Sequence, residues 1–343
     1  MEFGIWTPLP HSIRPEARMK KIVAQSYRRG DGLAKDDSFP FATEVLIKGE
    51  EVGFSFTLVA QRYLGPDPDA WVLASALAAA TSKINILVAV HPGIVSPQHA
   101  AKMGASLDRI SNGRFSLNIV NGWNKPEFDE FGGDWLDYDD MRYLRTREFA
   151  EIVKGMWNER EFSYQGVHYQ LDAVHLPLKP VQTPHPLLYA ASGSRKGKEV
   201  IARVCDACFV SYRGEYDHRG SFQEKVDFLK NEVDEVRDLA EGFNRCIKIG
   251  ASAHVAMADS DEKAFRLADE FDEYGKSSRY AKSAASSLSL GLIGSPETLR
   301  EKILMYQDAG LDFLLLHFHP MIEGMERFSN EVYQMPRLPA DQN

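Results

Sequence analysis

Short apolar runs recur along this chain, separated by longer stretches in which apolar side chains return every three or four positions. The first pattern suits strands buried on both faces and the second suits helices that cover them, so the alternation predicts parallel strands joined by crossover helices. Eight runs have strand character: Glu2 to Trp6, Phe56 to Ala60, Ile84 to Val90, Phe115 to Val120, Leu187 to Ala190, Ala207 to Val210, Ile247 to Val255 and Phe313 to His317. Eight is the number that closes a barrel, and the expected fold is α/β, a (β/α)8 TIM barrel with insertion loops at its C-terminal mouth. Residues 1–343 read as that one domain, since such barrels exceed the usual domain length of about 150 residues.

Local signals agree with this pattern. Phe149, Ile152, Val153 and Met156 fall at i, i+3, i+4 and i+7 and predict a helix face turned to the sheet. Ser295-Pro296-Glu297 supplies an N-cap, a first-turn proline and an acidic residue at the positive helix end, and Gly310 stops that helix before the last strand. A hairpin is expected over Glu161 to Gln170, turning at Gln165-Gly166 between Phe162, Tyr164, Val167 and Tyr169. Three stretches exceed the bare repeat: residues 7–39, residues 121–138, and the serine-rich residues 274–294, which read equally as a mobile lid or as a solvated loop.

Composition narrows the partners. Hydrophobic residues at 44% and charged residues at 26% predict a packed core throughout. A net charge of −9 repels phosphate backbones and anionic lipid, so neither nucleic acid nor membrane is an expected partner. No leader pattern opens the chain and no segment approaches the roughly 20 apolar residues of a bilayer span, which places the protein in the cytoplasm. Three cysteines form no disulfide framework, and Cys205 and Cys208, a lone C-x-x-C before a strand, are expected to be core thiols.

Dinucleotide, Walker, zinc-protease and serine-hydrolase signatures are all missing, so the chemistry has to be sought at the strand ends. Ala190-Ala191-Ser192-Gly193-Ser194-Arg195 leaves the fifth strand and opens a helix, and reads either as an ordinary Ser/Gly turn or as a place where unpaired N–H groups attract a phosphate, with Gly193 allowing close approach, Ser194 able to donate and Arg195 able to offset charge. Asn118, at the end of the fourth strand, points into the mouth, where a buried amide needs a partner such as a heterocycle edge. Trp123 offers a stacking face, and Arg142-Tyr143 sits at a helix start. His254 in the seventh strand, with His317, Phe318 and His319 at the eighth, brings imidazoles to the same rim.

From Asn118-Ile119-Val120-Asn121-Gly122-Trp123 onward, and through residues 74–77, 107–114, 292–297 and 325–328, the chain resembles the bacterial luciferase-like flavin monooxygenases. It is most similar to the branch that holds dimethylsulfone, alkanesulfonate and pyrimidine monooxygenases. The resemblance implies a two-component enzyme that takes diffusible FMNH2 from an NAD(P)H:FMN reductase and spends it with O2 on a small organic substrate. Dimethylsulfone or a related organosulfur compound, cleaved at a C–S bond, is the expected substrate. Gln61, Arg62, Asn118, Glu127, Arg142, Tyr143 and Ser194 match flavin-contacting positions, and His254 matches a catalytic-site histidine. With it, His317 and His319 are candidate proton carriers, and Arg279 and Lys282 of the lid are candidate anion holders.

The chain also departs from that pattern. The alkanesulfonate-type arginine two residues before the histidine is Ser252 here, the active-site cysteine near the second strand falls at about Asp67, and the tyrosine near the last strand is Phe318. A long-chain sulfonate would want the arginine, so it fits less well. The family implies a homodimer or homotetramer. Two alternatives stand beside the monooxygenase: a deazaflavin (F420)-dependent dehydrogenase on the same barrel, and a non-catalytic flavin-binding protein.

Overall fold

A computed structural model describes residues 1–8, 38–65, 68–122, 124–213, 217–276, 287–318 and 320–333 of the chain. The strands in chain order are β1 (Glu2–Trp6), β2 (Phe56–Val59), β3 (Asn85–Val90), β4 (Phe115–Ile119), β5 (Phe162–Gln165), β6 (Gln170–Val174), β7 (Leu188–Ala191), β8 (Ala207–Val210), β9 (Lys248–Met257), β10 (Ile293–Gly294) and β11 (Phe313–Phe318). Eight of them pair in parallel around a closed circuit, β1-β2-β3-β4-β7-β8-β9-β11 and back to β1. Every strand expected from the sequence is in that circuit, so the (β/α)8 expectation holds. β10 adds two residues beside β9, and β5 with β6 forms a separate hairpin.

Helices α1 (Ser38–Val52), α2 (Ala70–Ala80), α3 (Pro97–Ser111), α4 (Lys125–Glu130), α5 (Asp139–Asn158), α6 (Arg195–Val204), α7 (Phe222–Gly242), α8 (Asp261–Lys276), α9 (Pro296–Asp308) and α10 (Met321–Phe328) follow the strands. Phe149, Ile152, Val153 and Met156 of α5 are buried, as their spacing requires. Ser295 caps α9 by accepting the Thr298 N–H at 3.3 Å, and Gly310, at φ +95°, ends the segment before β11. No helix among the described residues is long and apolar enough to cross a membrane.

Inside the barrel, alternate strand residues fill a dry layer: Phe56, Leu58, Leu87, Tyr189, Phe209, Phe313 and Leu315. Phe313 meets Phe209, Phe56 and Tyr189 at ring separations of 5.1, 5.7 and 5.7 Å. Gly250 makes room for it, because a Cβ there would lie 2.3 Å from the Phe313 ring. The lower barrel is therefore packed solid, and any ligand has to enter from the C-terminal end.

Two expectations need correction. In the hairpin, β6 starts only at Gln170, and Val167 and Tyr169 belong to the turn. Their N–H groups, with that of His168, bind the Glu148 carboxylate of α5, which draws the turn four residues out to 166–169. The stretch 121–138 contains α4 rather than bare loop. Of the lid at 274–294, residues 277–286 lie outside the described residues; on either side α8 runs to Lys276, and residues 287–290 form a 3-10 turn leading into β10. Most of the first loop, 9–37, also lies outside the described residues. Cys205 and Cys208 are core thiols as expected, and burial pushes both up to about 12.

Candidate active site

Polar side chains gather where the strands end. A cavity of about 610 Å³ opens at the C-terminal mouth, walled by Trp6 of β1, Asn118 of β4, Ser192 and Gly193 after β7, Tyr212 after β8 and Ser252 of β9. Trp6 Nε1 donates to Ser252 Oγ at 2.9 Å across the barrel. Asn118 is 8% exposed, and its Oδ1 has no hydrogen-bond partner among the described residues. A buried carbonyl oxygen left alone costs about 1–3 kcal/mol, so this atom marks a place for an N–H or O–H that none of the described residues provides.

On the neighbouring wall three hydroxyls converge on the first turn of α6. Ser194 caps the helix by accepting the Gly197 N–H at 3.1 Å and donates its own proton to Tyr143 Oη at 2.8 Å. Tyr143 Oη lies 3.3 Å from Ser192 Oγ, which accepts the Ser194 N–H at 3.2 Å. The helix is ten residues long, and its remaining first-turn N–H groups carry the positive end of the dipole. Hydroxyls, N–H groups and dipole together suit an oxyanion such as phosphate.

His254 and His317 stand side by side on β9 and β11, their rings stacked 4.5 Å apart at 2°. Each lies two residues beyond a cavity-lining position, Ser252 and Leu315, so strand alternation turns both inward. The same alternation turns Phe318 outward. It packs on Phe328 and Phe54, at 5.3 and 6.1 Å, in the layer between barrel and helices, and is not a substrate contact.

Other sequence-expected residues are partly committed. Gln61 is buried, and its Oε1 accepts the Ala70 N–H at 2.7 Å, serving a free donor of the α2 terminus and leaving only the amide nitrogen. Arg62 beside it is half-buried. Glu127 is buried in the first turn of α4. Burial, then the charges of Asp69 and Glu127, push the nearby Tyr63 phenol well above its ordinary range. Arg142 binds the Asp139 carboxylate and lies over the Trp135 ring at 4.7 Å. Arg195 is exposed and pairs with Glu235 at 3.3 Å, so it does not offset charge at the loop. Trp123, His319, Arg279 and Lys282 lie outside the described residues.

Two residues were overlooked. His91 directly follows β3, is 1% exposed, and sits between the rings of Tyr63 and Phe128 at 5.5 and 6.3 Å. Neither ring nitrogen has a partner among the described residues, and burial pushes its pKa down to about 4, so it is neutral at pH 7. Arg213, after β8, lies against Gly193. Both follow a barrel strand by one to three residues, at the same C-terminal mouth to which the end of β4 brings Asn118.

Residues 1–312 match the family model described as luciferase-like monooxygenase. The chain belongs to that family. It is 30% identical over 321 residues, 84% of this chain and 85% of the relative, to an FMNH(2)-dependent dimethylsulfone monooxygenase of Pseudomonas putida. Among solved structures it resembles the monooxygenase RslO1 of Streptomyces bottropensis, with TM-score 0.71, 21% identity, and 96% and 98% of the two chains covered. It also resembles DmoA of Hyphomicrobium sulfonivorans, with TM-score 0.74, 16% identity, and 97% and 86% covered. At those identities the two structures speak for the barrel alone.

Proposed function

We propose that this luciferase-like chain is the oxygenase of a two-component system. It takes reduced FMN from a separate NAD(P)H:FMN reductase, uses O2 as co-substrate and oxidises a small organosulfur compound, with dimethylsulfone as the leading substrate. The observation that carries this is Asn118 Oδ1, more than nine-tenths buried and without a partner among the described residues, on a cavity lined also by Ser192 and Gly193 beside the Ser194 cap. One edge asks for a ring N–H and the other for an oxyanion, and FMN has both. When bound, reduced FMN supplies the electrons that activate O2.

The chain's own residues bind, orient and shield. Asn118 Oδ1 would accept from the ring edge, and Ser192, Ser194 and Tyr143, whose hydroxyls meet at the first turn of α6, would hold the phosphate. Leu58, Phe209 and Leu315 form an apolar floor that excludes water from the reacting face. The imidazoles of His254 and His317 move a proton between their ring nitrogens and the reacting group. With dimethylsulfone the sum is one sulfone, one O2 and two reducing equivalents with two protons, giving methanesulfinate, formaldehyde and water. The family resemblance supports a cytoplasmic homodimer or homotetramer.

The test is turnover of the purified chain with FMN, an NADH-dependent FMN reductase, O2 and dimethylsulfone. Formaldehyde and methanesulfinate formed in equal amounts, and only with the chain present, are expected. Oxygen uptake that ignores the sulfone would contradict the substrate, and preferential binding and reduction of a deazaflavin would move the chain to the dehydrogenase alternative.

A further inference from the structure

One cation at the mouth has no role in the account above. Arg213 follows β8, and its side chain runs along Gly193: a Cβ on Gly193 would lie 2.9 Å from Arg213 Cδ and 3.0 Å from Nη1. The missing side chain at 193 is what lets a guanidinium rest on the Ser192-Gly193-Ser194 loop. Its other nitrogen, Nη2, donates to Glu232 Oε1 of α7 at 2.9 Å. The same oxygen takes Lys198 Nζ of α6 at 2.8 Å, and Lys198, 1% exposed, also binds Glu235 at 2.6 Å. An ion cluster centred on the buried Lys198 thereby ties Arg213 to the helix whose first turn forms the cradle.

With Arg195 turned outward, Lys198 and Arg213 meet the two carboxylates Glu232 and Glu235, so the cluster is balanced and serves to hold the Arg213 guanidinium against the loop. Arg213 is 46% exposed, so a dissolved anion can reach it. An independent sign of a ligand comes from the same cavity, where the buried Asn118 Oδ1, without a partner among the described residues, shares the wall with Ser192 and Gly193.

We infer that Arg213 is the cation that selects a phosphorylated flavin, with Glu232 and Lys198 as its positioning residues. The inference rests on the flavin assignment proposed above. A phosphate monoester dianion seated on the first turn of α6 meets the guanidinium side-on, while Nη2 stays anchored on Glu232. Riboflavin has the same ring system without the phosphate, so the contribution of Arg213 is the difference between the two flavins.

The experiment is anaerobic titration of wild type, Arg213→Ala and Arg213→Lys with reduced FMN and with reduced riboflavin, each protein first checked for native circular dichroism and Tm. Arg213→Ala is expected to bind reduced FMN about tenfold or more weakly and reduced riboflavin as wild type does, with Arg213→Lys in between because it keeps the charge and loses the fork. Unchanged FMN affinity in Arg213→Ala, or equal losses for both flavins in a natively folded variant, overturns the inference. Wild-type protein that binds neither flavin contradicts the flavin assignment, and this inference with it.

Discussion

The two rims of this barrel are built from similar polar residues and treat them in opposite ways. At the rim where strands begin, polar side chains are used up. Arg114 donates to the carbonyls of Ser111, Ala78, Thr81 and Ile84 and to Thr81 Oγ1. Asp108 accepts from the backbone of Val181 and Gln182 and from the Gln182 side chain, and Asp206 joins Leu188, Lys154 and Arg245. At the rim where strands end, Asn118 Oδ1 and both nitrogens of His91 are buried without partners among the described residues. The first rim ties the loops to the barrel, while the second holds polar groups away from water at a cost in stability. That division is the one expected of a barrel whose lower face serves folding and whose upper face serves chemistry.

The comparison breaks most visibly at Arg114. Arg114→Ala removes five hydrogen bonds from carbonyls and a hydroxyl that stay in place, and is expected to cost about 3 kcal/mol in urea unfolding with no change in reduced-FMN affinity. A comparable loss of flavin affinity in folded protein would show that the two rims are not separable.

His91 sharpens the comparison from the other side. Burial holds its folded pKa down to about 4 against an ordinary 6.5. As pH falls through 6.5 the unfolded chain takes up a proton that the folded chain refuses until about 4, so stability is full above 6.5 and is lost on the way down. Between pH 7 and 5 this amounts to about 2 kcal/mol, and His91→Phe should flatten the unfolding curve by that amount. An unchanged pH profile would mean that the ring is not held neutral. The smallest effect belongs to Ser194: Ser194→Ala should lower stability by about 1 kcal/mol through the lost cap and weaken FMN binding relative to riboflavin.

How much of this was legible in the sequence differs between scaffold and site. All eight barrel strands were readable because each is short, apolar on both faces and bounded by polar turns, and Ser295 and Gly310 announced the ends of α9. Asn118 was readable from its place at a strand end. What could not be read was which polar residues are already engaged: Arg195 pairs with Glu235, 40 positions away, and Glu148 redraws a hairpin turn 19 positions away. Such partners are set by helix packing, which a linear pattern does not encode. Phe318 is different, since the alternation that places His317 inward already required it to face outward.

The central claim is that the mouth gives up stability at Asn118 in order to hold reduced FMN. Its most direct test is Asn118→Ala, compared with wild type by urea unfolding without ligand and by anaerobic titration with reduced FMN. The account predicts stability equal to or slightly above wild type, because a lone buried carbonyl has been removed, together with FMN affinity at least about tenfold weaker. A variant that loses more than about 1 kcal/mol of stability while binding reduced FMN as wild type does would contradict it.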